Sequence, residues 1–165
     1  MSQREAVIVS TARTPIGKAY KGTFNNTPAP TLGGHAVRAA VERAGIEPER
    51  VDDCIIGCAM PQGTQSLNVA RNIALRGGLP VTVAGMTIDR QCSSGLMAVA
   101  TAAKQIMYDG MSVVVGGGIE SISLVQNQHM NMHHLVDEQL VAMHKDIYMP
   151  MLQTAEVVAQ RYGIS

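Results

Sequence analysis

Apolar positions along the chain alternate between two patterns. Residues 6–9 form a short apolar run that reads as a buried strand, entering the loop Ser10-Thr11-Ala12-Arg13-Thr14-Pro15. The loop over residues 13–31 holds three Pro and two Gly. Over residues 32–44, Ala36, Val37, Ala40, Val41 and Ala44 share one helical face, and Gly45 is a natural stop. Residues 52–60, with Cys54-Ile55-Ile56-Gly57-Cys58, predict a second buried strand. Residues 68–76 predict a helix capped by Asn68 and ended by Gly77-Gly78-Leu79-Pro80. A third strand is predicted over 84–89. Residues 93–108 are apolar nearly all round, which predicts a helix covered on every side. A short strand over 112–115 then runs into Gly116-Gly117-Gly118, read as a tight turn.

Strand and helix in strict alternation predict a layered α/β unit, with right-handed crossovers and mostly parallel pairing. The regularity fades after about residue 123. Residues 126–152 contain five Met and four His and read as irregular structure or short helices. Residues 154–162 predict a last helix, with Gly163 at its end.

Composition narrows the function classes. The 165 residues are 46% apolar, with 13 basic and 13 acidic side chains, one Phe, four Tyr and no Trp. High apolar content at zero net charge excludes a disordered chain. A balanced charge without stacking aromatics argues against nucleic acid as a partner. Three cysteines cannot staple a disulfide scaffold. No apolar run approaches the ~18 residues of a membrane span, and the first residues lack a secretory signal, so a reducing cytoplasm is expected.

Cys92 is the candidate nucleophile. It stands between a predicted strand and a predicted helix. There, unpaired amides and the helix dipole favour thiolate over thiol. A structural buried thiol remains open on spacing alone. Cys54 and Cys58, four apart on one strand face, read as core filling. The spacing of His129, His133 and His134 would bring two imidazoles together, but no carboxylate pattern completes a metal site, and none is expected. The absence of acids from residues 6–41, against Arg13, Lys18, Lys21 and Arg38, would suit either phosphate attraction or a solvated loop.

Four ordered segments carry a resemblance. Ile88-Asp89-Arg90-Gln91-Cys92-Ser93-Ser94-Gly95-Leu96 resembles the nucleophile segment of the thiolases. Val7-Ile8-Val9-Ser10-Thr11-Ala12-Arg13-Thr14-Pro15-Ile16-Gly17 and Gly116-Gly117-Gly118-Ile119-Glu120-Ser121-Ile122-Ser123 are similar to two more of that family's segments. Thr154-Ala155-Glu156 with Val158-Ala159 is similar to its substrate-loop helix. The resemblance implies a βαβαβαββ half-fold with a mixed sheet over residues 1–122 and the beginning of a substrate-binding loop region over 123–165, the C-terminal half being absent. It implies an acyltransferase that cleaves 3-ketoacyl-CoA thiolytically, or condenses two acetyl-CoA, through an acyl-cysteine on Cys92. Gly118, Ser121 and Met151 are implied as substrate-binding residues, with Glu120 and Ser121 supporting the acyl site.

No cofactor beyond coenzyme A as substrate is implied. The partners implied are CoA thioesters, a complementary C-terminal half and further copies in a dimer or tetramer. The Gly-His-Pro, Cys-Xaa-Gly-Gly and Asn-Glu-Ala-Phe segments of thiolases do not occur, so the chain alone is expected to hold a nucleophile without its base. Asp89 stands where the family often has Asn, and Pro150 where many members have a histidine. A non-catalytic acyl- or lipid-binding relative, an assembly fragment and another condensing enzyme of the same fold are the alternatives.

Overall fold

The computed structural model describes residues 4–165. The chain separates into two compact units, dividing after Met130. The first holds a three-layer α/β core. Helix α1 (Ala29–Ala44) leads to strand β1 (Asp53–Gly57), helix α2 (Val69–Gly77), strand β2 (Ala84–Ile88), helix α3 (Ser94–Tyr108), strand β3 (Val114–Gly118) and the single-turn helix α4 (Ile122–Val125). The three strands are all parallel in the order β2-β1-β3, with Asp53 opposite Ala84 on one side and Val114 on the other. The antiparallel member of a mixed sheet is not among the described strands.

Alternation along β1 assigns the layers. Cys54, Ile56 and Cys58 join Val37 and Val41 of α1 and Val69, Ile73 and Ala74 of α2 in one buried cluster. Ile55 points the other way, to Ala98 and Ala102 of α3. Asn68 fixes the entry to α2: its Oδ1 accepts the Arg71 N–H at 3.2 Å, and its Nδ2 donates to the Gly85 carbonyl of β2 at 2.6 Å. The cap thus also ties the helix to the sheet, as the predicted Asn68 cap and Gly78 stop require.

Three expectations need correction. Residues 6–9 form no strand: Val7, Ile8 and Val9 are 70%, 77% and 71% exposed, and among the described residues no ladder bond joins them to the sheet. The flanks are tied, by Arg4 Nη2 to the Met111 carbonyl at 3.0 Å and Arg43 Nη1 to the Thr11 carbonyl at 2.9 Å. An apolar, β-branched run reports a preference for a half-buried pleated surface; here it pairs with no strand, and the preference is unmet. Helix α3 is covered on one face only, with Ser94, Ala98 and Ala102 buried and Leu96 75% exposed. Its remaining apolar face has no counterpart within this unit. The last strand lies later than expected, so Gly116, Gly117 and Gly118 belong to β3 itself and not to a turn beyond it. The reason is helix packing: a Cβ on Gly116 would lie 3.0 Å from the Val99 Cα of α3.

The second unit, Asn131–Ser165, contains α5 (Glu138–Met143) and α6 (Met151–Tyr162). Asp137 caps α5 through the Leu140 N–H at 3.0 Å, and Gly163 ends α6 at φ 62°. Among the described residues, no helix is long and apolar enough to cross a membrane.

The tightest contact in the core is between backbones. A Cβ on Gly57, the last residue of β1, would stand 2.1 Å from the Ser94 carbonyl carbon at the start of α3. Neither partner is a flexible side chain that could yield. We expect Gly57→Ala to lower unfolding stability by about 3 kcal/mol in urea titration. A loss below ~0.5 kcal/mol would show that α3 does not seat on β1 in this way.

Candidate active site

The parallel sheet places its functional residues before their chemistry is considered. Helix α2 carries the chain from β1 to β2 on one face, and α3 carries it from β2 back past β1 to β3 on the other. The connections therefore diverge at β1, and the crevice outside the carboxyl ends of such strands is where open α/β sheets bind ligands. Three segments meet there: the loop after β1, the elbow between β2 and α3, and the loop after β3.

Cys92 stands on the elbow and is exposed in this chain. The elbow is a tight turn in which the Ser93 N–H reaches the Arg90 carbonyl at 3.2 Å and the Ser94 N–H reaches that of Gln91 at 3.0 Å. Gln91 adopts φ 48°, a left-handed conformation that side-chain-bearing residues rarely take. Surrounding bonds hold it there. Asp89 Oδ1 accepts the Gln91 N–H at 2.8 Å, so an aspartate still pins this backbone where the family often has Asn. Ser94 Oγ accepts from the Arg90 N–H at 2.8 Å and donates to the Gln91 carbonyl at 2.6 Å. Ser93 Oγ donates to the Arg90 carbonyl at 2.9 Å. Cys92 lies two residues before the first residue of the 15-residue helix α3, at its N-terminal end. A nucleophile lifted to the tip of a strained strand-to-helix turn follows the logic of a nucleophile elbow.

The loop after β3 is held against the other two. The Ile119 N–H donates to the Gly57 carbonyl at 3.0 Å. A Cβ on Gly118 would lie 3.1 Å from the Gly95 Cα, so the end of β3 abuts the first turn of the helix that follows Cys92. Beyond it, Glu120 spans to the loop after β1: Oε2 accepts the Ala59 N–H at 2.9 Å and Oε1 accepts from Gln65 Nε2 at 2.6 Å. Gln65 also binds the Ser121 N–H through its Oε1. Glu120 is thus a brace between loops. Ser121 is buried with its backbone held, and Gly118 closes β3. Both line a cavity of about 330 Å³ whose other walls include Arg13, Thr14 and Phe24; Cys92 is not among its lining residues. Met151 opens α6 in the second unit and is 72% exposed.

Sequence reasoning missed Gln65. It lies in an unpatterned loop, and nothing in its neighbours signals that its amide is fully buried. The Ser93-Ser94 pair was in view, but its task of lacing the elbow was not.

The other two thiols are of a different kind. Burial, reinforced by the Asp53 carboxylate, pushes Cys54 up to about 12. Burial also pushes Cys58 up to about 11; a backbone hydrogen bond from Met60 opposes this, and the Glu120 and Asp89 carboxylates add to it. Among the described residues, no three His, Cys, Asp or Glu side chains converge as a metal site.

The family model described as "Thiolase, N-terminal domain" matches residues 6–165. A 3-ketoacyl-CoA thiolase of Bacillus subtilis is 45% identical over 164 residues, covering 98% of this chain and 41% of the relative. An acetyl-CoA acetyltransferase of Cupriavidus necator is 41% identical, covering 98% of this chain and 43% of the relative. The crystal structure of the Bacillus anthracis acetyl-CoA acetyltransferase matches with a TM-score of 0.79 at 34% identity, over 99% of this chain and 43% of that one. The chain therefore spans about two fifths of the length of these relatives.

The thiols should separate on alkylation. A raised thiol pKa keeps sulfur protonated through neutral pH, and burial blocks access as well. We expect iodoacetamide at pH 8 to label Cys92 alone in the folded chain, read by peptide mass mapping. Labelling of Cys54 or Cys58 at a comparable rate would contradict the assignment.

Proposed function

Because the chain belongs to the thiolase family through its N-terminal domain, we propose that it supplies the nucleophile half of an acyl-CoA acyltransferase, with Cys92 accepting the acyl group. One observation carries this reading: the exposed sulfur of Cys92 on a turn pinned by Asp89, Ser93 and Ser94, at the carboxyl ends of parallel strands and the start of α3.

In this reaction the Cys92 thiolate attacks the carbonyl carbon of a CoA thioester and the coenzyme A thiolate leaves, giving a thioester on Cys92. With a 3-ketoacyl-CoA, attack falls on the keto carbon and the carbon–carbon bond breaks, releasing an acetyl-CoA enolate that takes up a proton. Free coenzyme A thiolate then removes the acyl group. Reversal joins two acetyl-CoA. Sulfur suits both steps because a thiolate is a good nucleophile near neutral pH and the thioester it forms keeps the acyl group reactive. Gly118, Ser121 and Met151 are assigned to the acyl and CoA side of the site, and no cofactor takes part.

The partners in this proposal are CoA thioesters, a complementary C-terminal half and further copies in a dimer or tetramer, within the cytoplasm. Support for the complementary half comes from the uncovered apolar face of α3 and from coverage of two fifths of the relatives. That half would bring the base, since no histidine of this chain lies in a Gly-His-Pro setting. Against another condensing enzyme of the same fold stands the Gly116-Gly117-Gly118-Ile119-Glu120-Ser121-Ile122-Ser123 segment.

Two assays test this. With acetoacetyl-CoA, we expect the mass of the chain to rise by an acyl group mapped to Cys92, and Cys92→Ala to lower that uptake by at least about 100-fold. With acetoacetyl-CoA and coenzyme A, the isolated chain is expected to show no turnover above buffer. Acylation elsewhere, or none, would refute the nucleophile assignment; robust turnover would refute the need for a second half.

A further inference from the structure

We propose that Gln65 is a positioning residue of the acyl site, acting through Glu120 and Ser121; this rests on the reading of Cys92 as acyl acceptor. Gln65 is 0% exposed, although it is polar and ends the short 3-10 turn Gly63–Gln65 that follows β1. Its amide is used on both sides. Nε2 donates to the Met60 carbonyl at 2.8 Å and to Glu120 Oε1 at 2.6 Å, and Oε1 accepts the Ser121 N–H. One side chain therefore joins the loop after β1 to the loop after β3.

Glu120 completes the link by accepting the Ala59 N–H at 2.9 Å. The Glu120 carboxylate is thus held by neutral donors from the neighbouring loop, which fixes its place without a cation. Gly118 lies two residues before Glu120 and packs on Gly95, three residues after Cys92. The chain of contacts runs from Gln65 to Glu120, to the end of β3, to the first turn of α3 and to the elbow. Packing alone does not demand an amide at position 65, because an unbranched apolar side chain would fill a similar volume. What an apolar residue cannot do is hold the Ser121 N–H and the Glu120 carboxylate in register with the loop after β1. A wall that must meet an acyl group is sensitive to such a loss; reaction of a small reagent with an exposed sulfur is not.

The test is Gln65→Met in the 165-residue chain, with two rates measured on Cys92. One is acyl transfer from acetyl-CoA, in which the Cys92 thiolate displaces coenzyme A thiolate. The other is alkylation by iodoacetamide. We expect acyl transfer to slow by about tenfold while alkylation stays within about twofold of wild type. Unchanged acyl transfer in the folded variant, or equal slowing of both reactions, would overturn the proposal. Should Gln65→Met fail to fold by far-ultraviolet circular dichroism, Glu120→Gln decides the matter. It keeps Gln65 in place but removes one of the two accepting oxygens, and the same split between the rates is expected. Wild type that alkylates on Cys92 yet takes no acyl group would instead defeat the acyl-acceptor reading, and this inference with it.

Discussion

The seat of α3 on the sheet is the constraint from which the site follows. Helix α3 begins where β1 and β3 end, and it approaches them at backbone distance, over Gly57 and Gly118, with its own Gly95 facing β3. No side chain stands between. The elbow that precedes the helix is therefore delivered to the carboxyl edge of the sheet, and Cys92 has little freedom to sit elsewhere. A helix seated through side chains would slide with each change of size in the core; one seated through main chain cannot. The hydrogen bonds of Asp89, Ser93 and Ser94 then set the local conformation, including the left-handed Gln91, but they act within a frame already fixed by close packing.

This order of causes explains why three cysteines in one small unit have such different fates. Cys54 and Cys58 face the layer of α1 and α2, where burial suppresses ionisation. Cys92 lies outside the layers altogether. The difference is topological before it is electrostatic. Alternation along β1 sends two sulfurs inward, whereas the end of a strand followed by the start of a helix sends the third out to solvent.

Much of this was legible in the chain. Asn68 and Gly78 announced the ends of α2, Gly45 the end of α1, and the apolar runs from α1 onward the order of strands and helices, because caps and periodicity are local properties. Cys92 could be singled out for the same reason, since its neighbours 88–96 form a contiguous segment, and the structure places it exposed on the elbow before α3. Gln65 escaped because its meaning is non-local. Its partners Glu120 and Ser121 lie more than fifty positions away, and only the parallel register of β1 and β3 brings them together. The glycines 116–118 were misread for a related reason. Three in a row look like a turn until a helix is found lying against them.

The two overestimates of burial have the same form. Residues 6–9 and the outer face of α3 both carry the apolar pattern of covered structure, yet both are open to solvent. Hydrophobic patterning records the surface a segment is suited to bury; it does not record which chain supplies the cover. The chain covers about two fifths of the relatives it matches. The core of β1, α1 and α2 shows no such deficit, because its partners are all within the first unit. Cys92, on the elbow, and Leu96, in the first turn of α3, are both exposed.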